Sequence, residues 1–273
     1  MNDLKLLTKI KKPLTIDNIT FDNNNLVVIA GPCAIEDYDS LFQMATLLKE
    51  NGIHFMRAGA YKPRTSPYSF QGLGEQGLKM LADIKEKTKI KIVTEITDIS
   101  DLPLYLDYVD IIQVGARNMQ NFSLLKALGK TNKPILLKRG FGNTIEEWLL
   151  AAEYILLGGN QNIIMCERGI KSFETSTRNT LDISSVPIIK QLTALPVIVD
   201  PSHAAGRSDL IASLSLAAVA AGANGLLIEV HPNPREALSD KEQALGTNEF
   251  LQLNNQLQGL KSYLNANNIH NNF

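Results

Sequence analysis

Cysteine is scarce in this chain: two residues, Cys33 and Cys166, among 273 cannot build a disulfide framework, which sets aside the small secreted scaffolds that depend on one. Net charge of either sign is nearly absent. With 27 Lys+Arg against 28 Asp+Glu the formal charge is -1, so no overall field draws the chain to nucleic acid or to an anionic membrane. Any polyanion must be met by local clusters, and a small-molecule partner is expected. Long apolar runs are missing too. The longest charge-free stretch, 210–228, is cut by Ala221-Gly222-Ala223-Asn224-Gly225 and reads as a helix, a turn and a strand rather than a membrane span. Residues 1–20 hold scattered lysines without the apolar segment of a secretory signal, so a cytoplasmic protein is expected. What is present, 44% hydrophobic and 20% charged residues, is ordinary globular usage and excludes disorder and collagen-like repeats.

Short apolar, β-branched runs at 26–30, 54–58, 91–96, 111–115, 134–138, 162–166, 196–200 and 225–230 alternate with helical patterns at 39–51, 75–87, 101–108, 121–131, 144–157, 185–192, 209–221 and 247–268. Thr144 with Glu147 has the spacing of a capping box, and Gly52, Gly158 and Gly222 are placed for chain reversal after a helix. Eight consecutive strand-helix units predict an α/β fold, a closed (β/α)8 TIM barrel rather than an open doubly wound sheet. Segments 14–16 and 19–21, separated by Asp17-Asn18, predict a short N-terminal β-hairpin placed to plug the N-terminal end of the barrel. The expected organisation is an extension over 1–25, a catalytic barrel over 26–268 and a tail over 269–273.

In such barrels the reacting groups gather at the C-terminal ends of the strands. There the chain carries Gly31-Pro32-Cys33 after the first strand, Asp200-Pro201-Ser202-His203 after the seventh, Glu229-Val230-His231 closing the eighth, and Asp240 in the loop beyond. Strands seven, eight and one become neighbours on closure, so Cys33, His203, Glu229 and Asp240 can converge as one thiolate, one imidazole and two carboxylates. This mixed set suits one divalent transition metal ion, manganese, iron, zinc or cobalt, better than magnesium or calcium. Taken singly, Cys33 also fits a small buried residue, His203 a hydrogen-bonded loop histidine, and Glu229 a partner for a nearby Arg or Lys.

A second constellation is cationic: Arg57, Lys62, Arg64, Arg117, Lys138-Arg139 and Arg168 all follow or close successive strands. Such a cluster repels itself unless anions sit within it, and guanidinium groups match phosphate and carboxylate oxygens in pairs. Glu95, closing the third strand, faces this cluster and either balances its charge or orients a water or a lysine. Lys138 also fits a Schiff-base lysine, though phosphate binding is the reading preferred beside a metal set. Cys166 reads as core, and His231 as either a site residue or part of a turn before Pro232; neither His54 nor His270 suggests a role.

The ordered motifs Gly31-Pro32-Cys33, Lys62-Pro63-Arg64-Thr65-Ser66-Pro67, Gly115-Ala116-Arg117, Leu137-Lys138-Arg139-Gly140, Cys166-Glu167-Arg168-Gly169, Asp200-Pro201-Ser202-His203 and Glu229-Val230-His231-Pro232 resemble those of 3-deoxy-D-arabino-heptulosonate 7-phosphate (DAHP) synthases of the type I beta subgroup, over about residues 26–260. The resemblance implies a metal-dependent condensation of phosphoenolpyruvate with D-erythrose 4-phosphate, the first step of the shikimate pathway, by a homo-oligomer, often a tetramer. It implies that Cys33, His203, Glu229 and Asp240 hold the metal. Arg57, Arg117, Lys138 and Arg168 would meet phosphoenolpyruvate, with backbone contacts from Gly115 and Ala116, while Lys62, Arg64 and Thr65 would meet erythrose 4-phosphate. Glu95 matches an acidic residue near the reacting carbons; Lys62 and Glu95 are the catalytic candidates, as acid toward the aldehyde oxygen and orienter of water. Two departures stand out: Lys241-Glu242 follows Asp240 where relatives usually have Gly-Pro, and Ser208 follows Arg207 where many have a second arginine.

The nearest rival is 3-deoxy-D-manno-octulosonate 8-phosphate synthase, which uses arabinose 5-phosphate; the Lys62-Pro63-Arg64-Thr65 loop argues against it. A silent barrel that senses a phosphorylated metabolite is a reading of another class, disfavoured because every expected site position is filled. The short extension offers no evident pocket for an aromatic amino acid, so no inhibition by phenylalanine, tyrosine or tryptophan is expected.

Overall fold

The computed structural model describes residues 4–63 and 66–269. The hairpin forms as its sequence predicts, β1 (Leu14–Ile16) pairing antiparallel with β2 (Ile19–Phe21), and Asp17 turns the chain in a left-handed conformation. Eight parallel strands follow: β3 (Val27–Gly31), β4 (Phe55–Arg57), β5 (Lys91–Ile96), β6 (Ile111–Val114), β7 (Ile135–Lys138), β8 (Ile163–Glu167), β9 (Val197–Val199) and β10 (Gly225–Glu229). They close in sequence order, with β10 returning to pair with β3 from Gly225 opposite Val27 to Glu229 opposite Gly31. The expected (β/α)8 barrel is therefore the observed architecture.

Helices cover the outside: α1 (Tyr38–Glu50), α2 (Gly74–Thr88), α3 (Leu102–Tyr108), α4 (Phe122–Gly129), α5 (Ile145–Leu157), α6 (Ser185–Leu192), α7 (Pro201–Ala205), α8 (Ile211–Ala220) and α9 (Thr247–Ala266). The capping box is present, Thr144 Oγ1 accepting from Glu147 N at 3.1 Å and Glu147 Oε2 from Thr144 N at 2.8 Å. Among the described residues no helix is long and apolar enough to cross a membrane.

Three differences from the sequence reading have local causes. The segment after β9 is a short helix, α7, because Asp200 accepts from His203 N at 3.0 Å and Pro201 occupies the first turn. The helix expected from 209 starts at Ile211, after a tight turn over Ser208–Leu210. Gly52 and Gly222 have positive φ, as chain reversal requires, but Gly158 does not; Gly159 does that work. Gly158 is needed for close approach instead, since a Cβ there would lie 2.4 Å from the Gly129 carbonyl carbon.

Strand parity divides the core in two. Odd and even positions alternate between the barrel interior and the helix layer. Val27, Ile29, Phe55, Val93, Ile111, Leu136, Ile164, Cys166, Ile198 and Leu227 form the interior cluster, and Leu14 and Phe21 of the hairpin complete it. The rings of Phe21 and Phe55 lie 5.7 Å apart, so the hairpin does plug the N-terminal end. Truncating a fully buried phenylalanine removes its burial and leaves a cavity. Phe21→Ala is expected to cost about 3–5 kcal/mol, read as a lower urea midpoint with an unchanged m-value. A loss below about 1 kcal/mol would mean that the hairpin rests on the barrel without sealing it.

Candidate functional site

Two residues beyond the apolar interior layer, the same parity turns polar. Phe55 is followed inward by Arg57, Val93 by Glu95, Ile111 by Gln113, Leu136 by Lys138, Cys166 by Arg168, Ile198 by Asp200 and Leu227 by Glu229. Burying charge at this depth favours pairing, and four of these groups are paired. Arg57 Nη1 donates to Glu229 Oε1 at 2.6 Å, and Lys138 Nζ to Asp200 Oδ2 at 2.6 Å. His203 links the two pairs: its Nδ1 lies 2.7 Å from Asp200 Oδ2 and its Nε2 lies 3.3 Å from Glu229 Oε1. Burial alone would raise both carboxyl pKa values. The His203 and Lys138 charges outweigh it at Asp200, and His203, Arg57 and Lys62 outweigh it at Glu229, so both are held below the ordinary range. Burial in turn lowers His203 against the pull of the Asp200 and Glu229 charges.

Three of the four expected metal ligands meet here. One ligand atom from each of Cys33, Glu229 and Asp240 lies within 4.8 Å of the others. His203 stands beside that group through its contact with Glu229. Cys33 Sγ lies 3.0 Å from Asp240 Oδ2 and 2.9 Å from Lys62 Nζ. Burial, with the Glu229 charge added, pushes the Cys33 thiol up to about 11. A thiol, two carboxylates and an adjacent imidazole in so small a volume are a donor set that fits a divalent transition metal. Asp240 reaches it from a left-handed backbone, φ 54°, held by Arg178 Nη1 at 3.0 Å. Gln243 supports the same corner, donating to Glu229 Oε2 at 2.7 Å and accepting from Arg178 at 2.8 Å.

Beside the donor set lies a cavity of about 300 Å³ lined by Lys62, Glu95, Gly115, Ala116, Arg117, Lys138, Arg168, Arg178, His203 and Asp240. Phe141 forms one wall, with the guanidinium carbons of Arg168 and Arg117 at 4.7 and 5.4 Å from its ring centre. Gln113 Nε2 donates to Glu95 Oε2 at 2.9 Å. Gly115 makes room for that carboxylate, since a Cβ there would come 2.0 Å from Glu95 Oε1. Arg57 lies outside the lining, under the donor set, and its Nε is buried without a partner. Arg64 and Thr65 lie outside the described residues.

Other candidates resolve differently. Arg139 pairs with Glu167 at 3.1 Å and Asp182 at 2.7 Å, away from the cavity. Cys166 is core, its thiol pushed up by burial. His231 Nδ1 accepts from Asn233 N at 3.1 Å, and its Nε2 lies 3.5 Å from Glu36, the turn reading. The sequence reading missed Gln113, which parity with Glu95 marks. It also missed Arg178, Phe141 and Gln243, which sit in loops where no periodicity points to them.

Residues 8–266 match the family described as DAHP synthetase I. A phospho-2-dehydro-3-deoxyheptonate aldolase of Thermotoga maritima is 53% identical over 251 residues, covering 92% of this chain and 74% of the relative. A 2-dehydro-3-deoxyphosphooctonate aldolase of Desulfosudis oleivorans is 34% identical over 240 residues, covering 81% of this chain and 85% of the relative. The crystal structure of the Thermotoga maritima DAHP synthase superposes with a TM-score of 0.89 at 51% identity, covering 94% of this chain and 75% of that one. A truncated form of the 3-deoxy-D-arabino-heptulosonate 7-phosphate synthase from Thermotoga maritima gives 0.85 at 47% identity, covering 94% of both chains.

The fully buried Asp200 compensates Lys138 and contacts His203, so removing it leaves a buried ammonium without its partner. Asp200→Ala is expected to destabilise the fold by about 3–5 kcal/mol in urea titrations, and adding Lys138→Met should recover part of that loss. Equal stability of the wild type and Asp200→Ala would show that Lys138 is solvated rather than paired.

Proposed function

The chain belongs to the DAHP synthetase I family and condenses phosphoenolpyruvate with D-erythrose 4-phosphate and water to DAHP and phosphate; we propose that it does so in the barrel mouth described above. In this reading Cys33, His203, Glu229 and Asp240 hold one divalent transition metal ion, manganese, iron, zinc or cobalt. The observation that carries it is the meeting of a sulfur, nitrogen and oxygen donor set with a cation-lined cavity in one mouth. The enzyme is a transferase of aromatic biosynthesis.

The division of labour follows from charge. Arg117, Lys138 and Arg168 bind the phosphate and carboxylate of phosphoenolpyruvate, with the Gly115 and Ala116 backbone beside it. The unpartnered Nε of Arg57 supports its assignment as a further contact. Lys62, Arg64 and Thr65 bind erythrose 4-phosphate. When bound, the ion supplies Lewis-acid polarisation of the aldehyde oxygen. The enol carbon of phosphoenolpyruvate attacks the aldehyde carbon, and Lys62 gives a proton to the alkoxide that forms. Water oriented by Glu95 adds to the adjacent, electron-poor carbon and gives up a proton to that carboxylate. The phosphohemiketal then loses phosphate by carbon-oxygen cleavage. The cations keep both anions in attack geometry while this occurs.

The same reading includes a catalytic barrel over 26–268, with the 1–25 extension and the 269–273 tail, and assembly as a cytoplasmic homotetramer. Light scattering of the purified protein tests the tetramer, and a monomeric mass would refute it.

Chelation should abolish turnover, and Cys33→Ala should lower bound metal as well as activity, measured by elemental analysis of protein purified without chelator. Full activity in metal-free protein would sink the ion assignment. Purified enzyme offered both aldoses should prefer erythrose 4-phosphate over arabinose 5-phosphate, the reverse preference favouring the octulosonate activity of the less similar relatives. Arg64→Ala should raise the KM for erythrose 4-phosphate at least tenfold more than that for phosphoenolpyruvate, and Arg168→Ala should do the opposite. Equal effects on both substrates would show the two anion sites to be wrongly divided.

A further inference from the structure

We propose that the closed end of the barrel, opposite the mouth, holds a second ligand site, for a small oxyanion that also carries a hydrogen-bond donor. A cavity of about 440 Å³ lies there between the hairpin, the turn before β4 and one face of α9. Asn254, Gln258, Lys261 and Asn265 recur along α9 at helical spacing and all line it. A barrel helix normally turns apolar residues to the sheet, and α9 does so with Phe250, Leu253, Leu257 and Leu264. Two residues of the polar face beside them are nevertheless buried, Lys261 at 4% and Asn254 at 7% exposed, while Gln258 and Asn265 are exposed.

Among the described residues neither group finds a partner. Asn254 Oδ1 is buried without a hydrogen-bond partner. Among the described residues no hydrogen bond or ion pair reaches the Lys261 ammonium. Asp22, the one carboxylate whose charge acts on it, has Oδ1 taken by Asn24 N, Asn25 N and Asn25 Nδ2. Among the described residues the cavity wall contains no Asp or Glu. A second ammonium is within electrostatic reach. Lys190 donates to Gly222 O at 2.6 Å, and burial together with the Lys261 charge pushes it down to about 8.

A lysine without a hydrogen-bond or ion-pair partner among the described residues and an unpartnered amide oxygen in the same cavity wall are both completed by a suitable ligand. The complement is one anionic oxygen for Lys261 and one O–H or N–H donor for Asn254. A hydroxycarboxylate and a protonated phosphate share that chemistry, and apolar Ile19, Val28 and Phe55 leave room for a short carbon chain.

Calorimetric titration of the whole protein with glycolate and with inorganic phosphate reads the site, saturating phosphoenolpyruvate filling its own subsite and Lys261→Met reporting whatever binding remains at the erythrose 4-phosphate subsite. Binding of about one probe per chain is expected, weakened at least tenfold in Lys261→Met, with both substrate KM values unchanged within twofold. Binding of glycolate alone assigns a carboxylate ligand, and binding of phosphate alone a phosphate ligand. No binding of either probe to wild type, or equal binding by Lys261→Met, overturns the proposal. Should Lys261→Met fail to fold, wild-type crystals soaked in each probe decide: difference density within about 3.2 Å of Lys261 Nζ supports the site, and its absence with both probes refutes it.

Discussion

Two buried ion pairs, Arg57 with Glu229 and Lys138 with Asp200, are the condition for everything at the mouth of this barrel. The interior changes from apolar to charged within one pleat of the strands, and an isolated charge at that depth would neutralise itself or unfold its surroundings. Pairing between next-but-one strands avoids this. Strand β4 supplies the cation for the carboxylate of β10, and β7 the cation for the carboxylate just beyond β9. The pairs therefore work as crossbars as well as charge balance, and His203 between them takes its position from both. The cost of such an arrangement is that no member can be removed singly without stranding its partner.

Above the crossbars, precision comes from loops, which lack the redundancy of a sheet. Asp240 is held in a left-handed conformation by its ion pair with Arg178, while Gln243 joins Arg178 to Glu229. Two ligand candidates on different segments are thereby tied to one guanidinium. The Lys241-Glu242 departure from the relatives' usual pattern leaves this arrangement intact: Lys241–Gln243 forms a single tight turn that brings Gln243 back under Glu229.

Sequence made the barrel legible because its signal repeats. Each strand is a short β-branched run buried on both faces, and each is followed by a helical period, so errors of one or two residues at the ends do not alter the order. The site was legible where it follows parity: Arg57, Glu95, Lys138 and Glu229 each lie an even number of residues beyond an interior side chain. It was illegible where it depends on contacts between loops. Arg178 lies in the long connection between β8 and α6, and nothing local distinguishes it from Lys171 or Arg207. Its role arises only because Asp240 and Gln243 fold back against it. Gly158 and Gly159 carry the same lesson at small scale, since their neighbours in space, not their order, decide which one must reverse the chain.

Pairing also decides where an anion must sit. Lys138 is engaged by Asp200, Arg178 by Asp240 and Arg57 by Glu229, so their charges are largely cancelled where they stand. Arg117 and Arg168 are different: among the described residues neither has a carboxylate partner, and both lie over Phe141. Arg168 donates only to backbone oxygens, Gly169 O at 3.3 Å and His203 O at 3.2 Å, and burial lowers its hold on its proton. Two guanidinium groups on one aromatic plate, neither in an ion pair among the described residues, leave positive potential on the β6 to β8 side of the mouth. Glu229 and Asp240 lie on the opposite side, with Cys33. The β6 to β8 wall offers the unpaired positive charge that an anion requires, while the Cys33, Glu229 and Asp240 donor set faces it from the other side of the mouth.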